Sequence, residues 1–192
     1  VISLFYPRVC LACGNILFRN ENVLCFSCMY HLPKTGFHLI EDNPVARQFW
    51  GKIGFFSAAS CYYFTKGSKV QHLVHQFKYK GYKEIGAYVG KLYGPELKKS
   101  RLFNSVSSVI PVPLHPLKLA KRGYNQAEWL AAGIALATGW GLDVSAVKRT
   151  REKSSQTVYG REERRENIKN SFIAKRIPYR EVLVVDDIIT TG

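Results

Sequence analysis

Residues 182–192, Val182-Leu183-Val184-Val185-Asp186-Asp187-Ile188-Ile189-Thr190-Thr191-Gly192, constrain the fold more than any other stretch. Four consecutive apolar residues, three of them β-branched, read as a short strand buried on both faces, as inside a parallel sheet. Two carboxylates stand where that strand ends, and a Thr-Thr-Gly turn follows. Ligands of open α/β sheets bind at the carboxyl ends of strands. An ionised carboxylate only accepts hydrogen bonds and each hydroxyl of a sugar diol donates one, so Asp186 and Asp187 suit a ribose. The turn suits a phosphate: its N–H groups can form an anion nest, Thr190 and Thr191 add hydroxyl donors, and Gly192 allows close backbone approach. The plainer alternative is a core strand with an acidic turn after it.

Acids for hydroxyls beside a nest for a phosphate describe a ribose-5-phosphate site, and this run resembles the phosphoribosyl diphosphate (PRPP) motif of type I phosphoribosyltransferases. A helix is expected after Gly192, pointing its N-terminus at the phosphate. The first residue is Val1 rather than Met, so the sequence reads as a piece of a longer protein.

The second constraint lies near the start. Cys10-x2-Cys13-x11-Cys25-x2-Cys28 places two C-x-x-C knuckles around a spacer long enough for a minimal hairpin. Each knuckle turns two sulfurs toward one point, and two knuckles complete the tetrahedral four-sulfur shell of structural zinc. A closed shell has no open position for catalysis. Two disulfides, or an iron–sulfur or redox role, are the alternatives, and His31 is read as solvated rather than as a ligand. Cys61, the fifth cysteine, stands alone among aromatic residues, which suits a reducing cytoplasm better than a disulfide scaffold. No apolar run reaches the length of a membrane span, and residues 1–10 lack the pattern of a signal peptide. Lys and Arg number 28 against 14 Asp and Glu, a formal charge of +14, which favours a polyanionic partner.

Between these ends the chain alternates. Residues 32–52, with Pro33, Gly36 and Pro44, read as a linker. Cys61 to Phe64 is expected to be a strand. Val70, Leu73, Val74 and Phe77 follow helical spacing, with His72 and His75 on a polar face. Lys78-Tyr79-Lys80-Gly81-Tyr82-Lys83 alternates cations with aromatics, a pattern that can hold single-stranded nucleic acid through charge and stacking; a helix end with cations at its negative pole is the equal alternative. A helix through Ile85, Val89 and Leu92 is expected to stop near Gly94-Pro95. Val106 to Val112 reads as a strand ending in the stiff corner Pro111-Val112-Pro113-Leu114-His115-Pro116. A basic helix start and a helix through Ala127, Leu130, Ile134 and Ala137 follow, and Gly139 ends it. Leu142 to Val147 is a further short strand. Residues 148–180 hold eleven basic and four acidic residues. Their first part is expected to be a mobile loop, and the part carrying Arg161 and Arg165 a helix.

The four-cysteine knuckle, Phe77-Lys78-Tyr79-Lys80-Gly81, the corner at 111–116, Arg122-Gly123-Tyr124-Asn125-Gln126, Arg149-Thr150 with Gln156 and Arg165-Glu166-Asn167, and Val185 to Gly192 together resemble the ComF (ComFC) family. The resemblance covers nearly the whole chain. It implies an α/β type I phosphoribosyltransferase fold, a mostly parallel sheet flanked by helices, behind a small zinc finger. The domains would be residues 1–31 (zinc finger), 32–52 (linker) and 53–192 (phosphoribosyltransferase-like). It also implies a part in handling single-stranded DNA during natural transformation, in the cytoplasm, with a DNA-uptake helicase or a recombination mediator as protein partner.

Under that resemblance Asp186 and Asp187 are the candidate catalytic pair, gripping the ribose hydroxyls of PRPP, while Thr190, Thr191 and Gly192 take the 5-phosphate. Leu114, His115 and Arg122 would meet the diphosphate, with Mg2+ on the ligand's own oxygens, and the loop carrying Gln156 would close over the site. Lys78, Tyr79, Lys80, Arg149, Arg161 and Arg165 are the candidate nucleic-acid contacts. The alternative function is a catalytically active phosphoribosyltransferase acting on an unidentified acceptor in nucleotide metabolism.

Overall fold

The computed structural model describes residues 7–150 and 171–189. In chain order it contains α1 (Phe26–His31), a 3-10 turn (Phe37–Leu39), α2 (Pro44–Arg47), α3 (Lys69–Tyr79), α4 (Glu84–Lys99), β1 (Ser108–Pro111), α5 (Pro116–Arg122), α6 (Gln126–Thr138), β2 (Gly141–Leu142), β3 (Val147–Arg149), β4 (Phe172–Ala174) and β5 (Val182–Val185). The architecture is mixed α/β. Strands β2, β1 and β5 form a parallel sheet in that order, with β1 in the centre. Parallel neighbours need a crossover, and α5 and α6 supply it between β1 and β2. β1 pairs with β5 residue for residue, from Ser108 opposite Val182 to Pro111 opposite Val185. The Val112 N–H donates to the Val185 carbonyl at 2.8 Å, so both strands end side by side. β3 and β4 form a separate antiparallel pair.

Local chemistry sets the helix limits. Ser68 caps α3 through its side chain, and Asn125 caps α6. Gly123 and Gly139 take left-handed φ values of 81° and 76°, which glycine adopts without a Cβ penalty, and end α5 and α6. Gly123 therefore splits the expected basic helix start into two helices.

One face of the sheet is covered by α4 and α6. Val109 and Val185 meet Tyr93, Leu97, Ala131, Ile134 and Ala135 there, and Val109 and Ala131 are fully buried. The two helices touch through their backbones. A Cβ on Gly90 would lie 2.3 Å from the Leu130 carbonyl oxygen, and one on Gly133 would lie 2.2 Å from that of Ala87. This seam explains why α4 does not stop near Gly94-Pro95, as its sequence suggests, but runs through Pro95 to Lys99. Proline removes one helical hydrogen bond, and burial of Tyr93 and Leu97 along α6 outweighs that loss.

Two other expectations are corrected. Residues 61–64 form only an isolated bridge, Tyr62 with Lys34, because a single crossing of the chain gives them no strand to extend along. β5 is not buried on both faces: among the described residues Val184 is 62 % exposed while Val185 is 6 % exposed. Among the described residues the helices cover one side; on the other, Val184 and Ile110 line a cavity of about 210 Å³ closed partly by Val147 and Phe172. Within residues 32–52, Phe37, Val45 and Ala46 are buried, and Asn43 donates to the Ile40 and Ala58 carbonyls at 2.7 and 2.8 Å.

Candidate metal centre and strand-end site

The first knuckle is a tight turn. Gly14 donates its N–H to the Cys10 carbonyl with φ 78°, and Val9 bridges Ile16 across it. The second knuckle is the first turn of α1, with Cys25 as its cap. Their ligand atoms converge: the four sulfurs all lie within 4.8 Å of one another, and Cys13 and Cys25 are 3.8 Å apart. Zinc–sulfur bonds of about 2.3 Å at tetrahedral angles set an S···S edge of about 3.8 Å, so the residues fit a metal such as zinc. Backbone N–H groups already serve the sulfurs, Cys25 to Cys10 Sγ at 3.3 Å and Cys28 to Cys25 Sγ at 3.4 Å. Burial raises the Cys10 thiol, but N–H donation from Cys25, Ala12 and Cys13 outweighs it and brings it down to about 7. Burial and the neighbouring sulfurs push Cys28 far up. A cation among the sulfurs would favour the thiolate form that burial disfavours at Cys25 and Cys28. His31 is exposed and its ring meets the Ser27 carbonyl.

Glu21 was not evident as a site residue in the sequence. It is 3 % exposed, and its carboxylate accepts from the N–H groups of Phe18 at 2.7 Å and Phe26 at 2.6 Å, tying the hairpin to the start of α1. An acid a few residues before a helix start was the available signal. The knuckle does not stand apart. Cys10, Leu24, Cys25, Cys28 and Leu32 share one apolar cluster with Val70, Leu73 and Phe77 of α3 and Ile85 of α4.

The carboxyl ends of β1 and β5 carry the second constellation. Asp186 and Asp187 stand directly after β5, and Asp186 Oδ1 accepts the Asp187 N–H at 2.8 Å. Asp187 is the inner acid: its side chain is 14 % exposed and its Oδ2 lies 2.8 Å from Lys78 Nζ, itself 17 % exposed. The Asp186 carboxyl is pushed up to about 6, first by loss of surrounding solvent and then by the Asp187 charge, although the residue keeps an exposed flank. Asn125 donates to the Val112 carbonyl at 3.1 Å and fixes the loop before α6 to the end of β1. Arg122 donates to Gln126 Oε1 at 3.1 Å and its guanidinium lies 5.7 Å from the Tyr79 ring centre. The Tyr124 hydroxyl donates to the Phe77 carbonyl, which pins the end of α3 against this loop.

The structure therefore sets Lys78 against Asp187, next to Asp186, and Arg122 against Tyr79, the residue that follows Lys78. Leu114 is half-buried, and His115 is buried with Nδ1 accepting the Leu117 N–H at 3.3 Å, so this ring caps α5. Tyr79 and Lys80 are exposed. Arg149 sits on β3 with its guanidinium 5.2 Å from the Phe172 ring centre. Gln156, Arg161, Arg165, Thr190, Thr191 and Gly192 lie outside the described residues.

Comparison with known proteins bears on this pairing of a cysteine knuckle with an acidic strand end. The DNA utilization protein YhgH of Escherichia coli O157:H7 is 30 % identical over 200 aligned residues, which cover 100 % of this chain and 82 % of that protein. The chain belongs to the ComF family. Competence protein F of Haemophilus influenzae is 36 % identical to this ComF chain over 105 residues, half of the chain and 44 % of the relative's own length. The YhgH protein of Shigella flexneri repeats the full-chain match at 30 %. No family model matches the chain, and no solved structure does. Among the described residues no helix is long and apolar enough to cross a membrane.

Proposed function

We propose that this ComF chain binds PRPP and single-stranded DNA and acts in DNA uptake, on a type I phosphoribosyltransferase-like frame behind a zinc finger. The units would be those of the sequence reading, 1–31, 32–52 and 53–192, and the setting the cytoplasm, where thiols stay reduced. The observation that carries the reading is the acid pair at the end of β5, beside the end of β1, with Lys78 on Asp187 and Arg122 against the next residue, Tyr79. Acceptors for a diol and cations for phosphates meet where open α/β sheets bind ligands. Asp186 and Asp187 take the ribose hydroxyls, Arg122 and backbone groups around Leu114 face the diphosphate, and Mg2+ rides on the ligand's own oxygens. The names of the relatives, competence protein F and DNA utilization protein, support the DNA role. So do the +14 formal charge and the exposed pair Tyr79 and Lys80. A DNA-uptake helicase or recombination mediator would receive the strand.

Titration calorimetry with PRPP and Mg2+ tests the ligand. Wild-type protein should bind, and Asp187→Asn should lose most of the affinity; equal binding by both removes the ribose role. An oligothymidylate titrated at several salt concentrations tests the DNA. Affinity should fall steeply with salt, and a flat profile removes the DNA role.

A further inference from the structure

The geometry points to Lys78 as the resident cation of the strand-end site: a positioning residue that holds Asp187 and offers a second N–H to an anionic oxygen of the sugar phosphate, rather than a contact for DNA. This rests on the sugar-phosphate reading above and assigns Lys78 its place within that site.

Three observations carry it. First, Lys78 is withdrawn where its neighbours are not. Its side chain is 17 % exposed and 2.8 Å from Asp187, while the next residue, Tyr79, is 64 % exposed, and Lys80 is also exposed. A lysine that tracks a DNA backbone keeps its ammonium in solvent; this one is turned to the end of β5. Second, its position is anchored. Val70, Leu73 and Phe77 bury α3 against the cysteine knuckle and α4, and Tyr124 holds the Phe77 carbonyl from the β1 side. The residue after Phe77 must then emerge between the two. Third, the charge balance of the site requires it. Two adjacent carboxylates repel an incoming phosphorylated sugar, and a fixed cation against the inner acid offsets one of them. An ammonium has three donors and a rotatable tip, so a lysine engaged by Asp187 Oδ2 can still donate to a ligand oxygen.

The test uses the whole chain with zinc in place and compares wild type with Lys78→Met, Lys78→Arg and Lys80→Met. In calorimetry with PRPP and Mg2+, Lys78→Met should weaken binding by about ten-fold or more, and Lys78→Arg should stay within about three-fold of wild type, since a charge is restored. Binding by Lys78→Met equal to wild type overturns the assignment. So does an equal loss in Lys78→Met and Lys78→Arg accompanied by lowered melting temperatures, which marks a structural role. If wild type itself fails to bind PRPP, the sugar-phosphate reading falls, a result distinct from wild-type binding that Lys78→Met leaves intact. In oligothymidylate titrations, Lys78→Met should leave the salt slope unchanged and Lys80→Met should lower it by about one; a slope lowered by Lys78→Met also overturns the assignment.

Discussion

The cysteine knuckle and the strand-end site are both clusters of ionisable side chains, yet they are built in opposite ways. The four sulfurs come from residues 10–28, mostly buried and converging on a point that suits one small cation. The strand-end cluster joins residue 78 to residues 186–187, with Arg122 against the adjoining Tyr79, and it keeps an open flank at Asp186. The first can assemble from a hairpin and one helical turn. The second exists only after α3, the loop before α6 and β5 have reached their places. A locally closed cluster suits a structural ion, and an open one assembled over distance suits a ligand that must enter and leave. The two are joined by α3, whose apolar face packs on the knuckle and whose last turn delivers Lys78 to Asp187.

The widest separation between the regions should come from the metal. Removing it with a strong chelator, or replacing Cys28 by Ala, should lower the melting temperature by about 10 °C or more, because a structural metal contributes folding free energy outright. Metal analysis should find close to one zinc per untreated chain. An unchanged melting point on chelation would break the contrast by making the knuckle dispensable.

Next in size is the helix seam. Gly133→Val should cost about 3 kcal/mol, since its side chain must displace the Ala87 backbone. It should also abolish PRPP binding while the knuckle still holds zinc, because β1 and β5 rest on the α4–α6 seam, whereas the four sulfurs converge from residues 10–28 alone. Simultaneous loss of zinc would show that the two regions fold as one unit, which chemical denaturation monitored by zinc release would reveal. A smaller effect is expected at Tyr79→Ala, about 1–3 kcal/mol in affinity for single-stranded DNA if a base stacks on the exposed ring. Unchanged PRPP binding in the same variant would confine that loss to the DNA surface.

The smallest effect concerns Asp186. Its carboxyl is raised from an ordinary value of 3.8 to about 6 in the folded chain, so the ionised form is disfavoured there. The penalty is absent below about 3.8, develops as pH rises toward 6 and is complete above it. Asp186→Asn should therefore raise the melting temperature slightly at pH 7.5, by about 2 °C, and the gain should vanish near pH 3.5. A gain that persists in acid would assign it to something other than charge. Thermal scans at the two pH values check this.

Much of this was written locally. The spacing of Cys10, Cys13, Cys25 and Cys28 predicts a converging shell because each knuckle needs only its own turn. Four apolar residues followed by two acids place Asp186 and Asp187 at a strand end because a strand's direction and its last residue are sequence properties. Serine and asparagine caps and the glycines at 123 and 139 mark helix limits for the same reason. What local pattern could not supply was the company each residue keeps. Pro95 looks like a helix stop until the glycine seam with α6 is known, and Val184 looks buried until its 62 % exposure beside the buried Val185 is known. Glu21 looks like a surface acid until the amides of Phe18 and Phe26 close on it. Lys78, with an aromatic and another cation after it, reads as part of a basic stripe. The packing of Phe77 and the arrival of β5, some hundred residues later, turn it toward Asp187. Periodicity and spacing are short-range and survive in the linear chain; which charge neutralises which depends on long-range packing, and only the folded arrangement decides it.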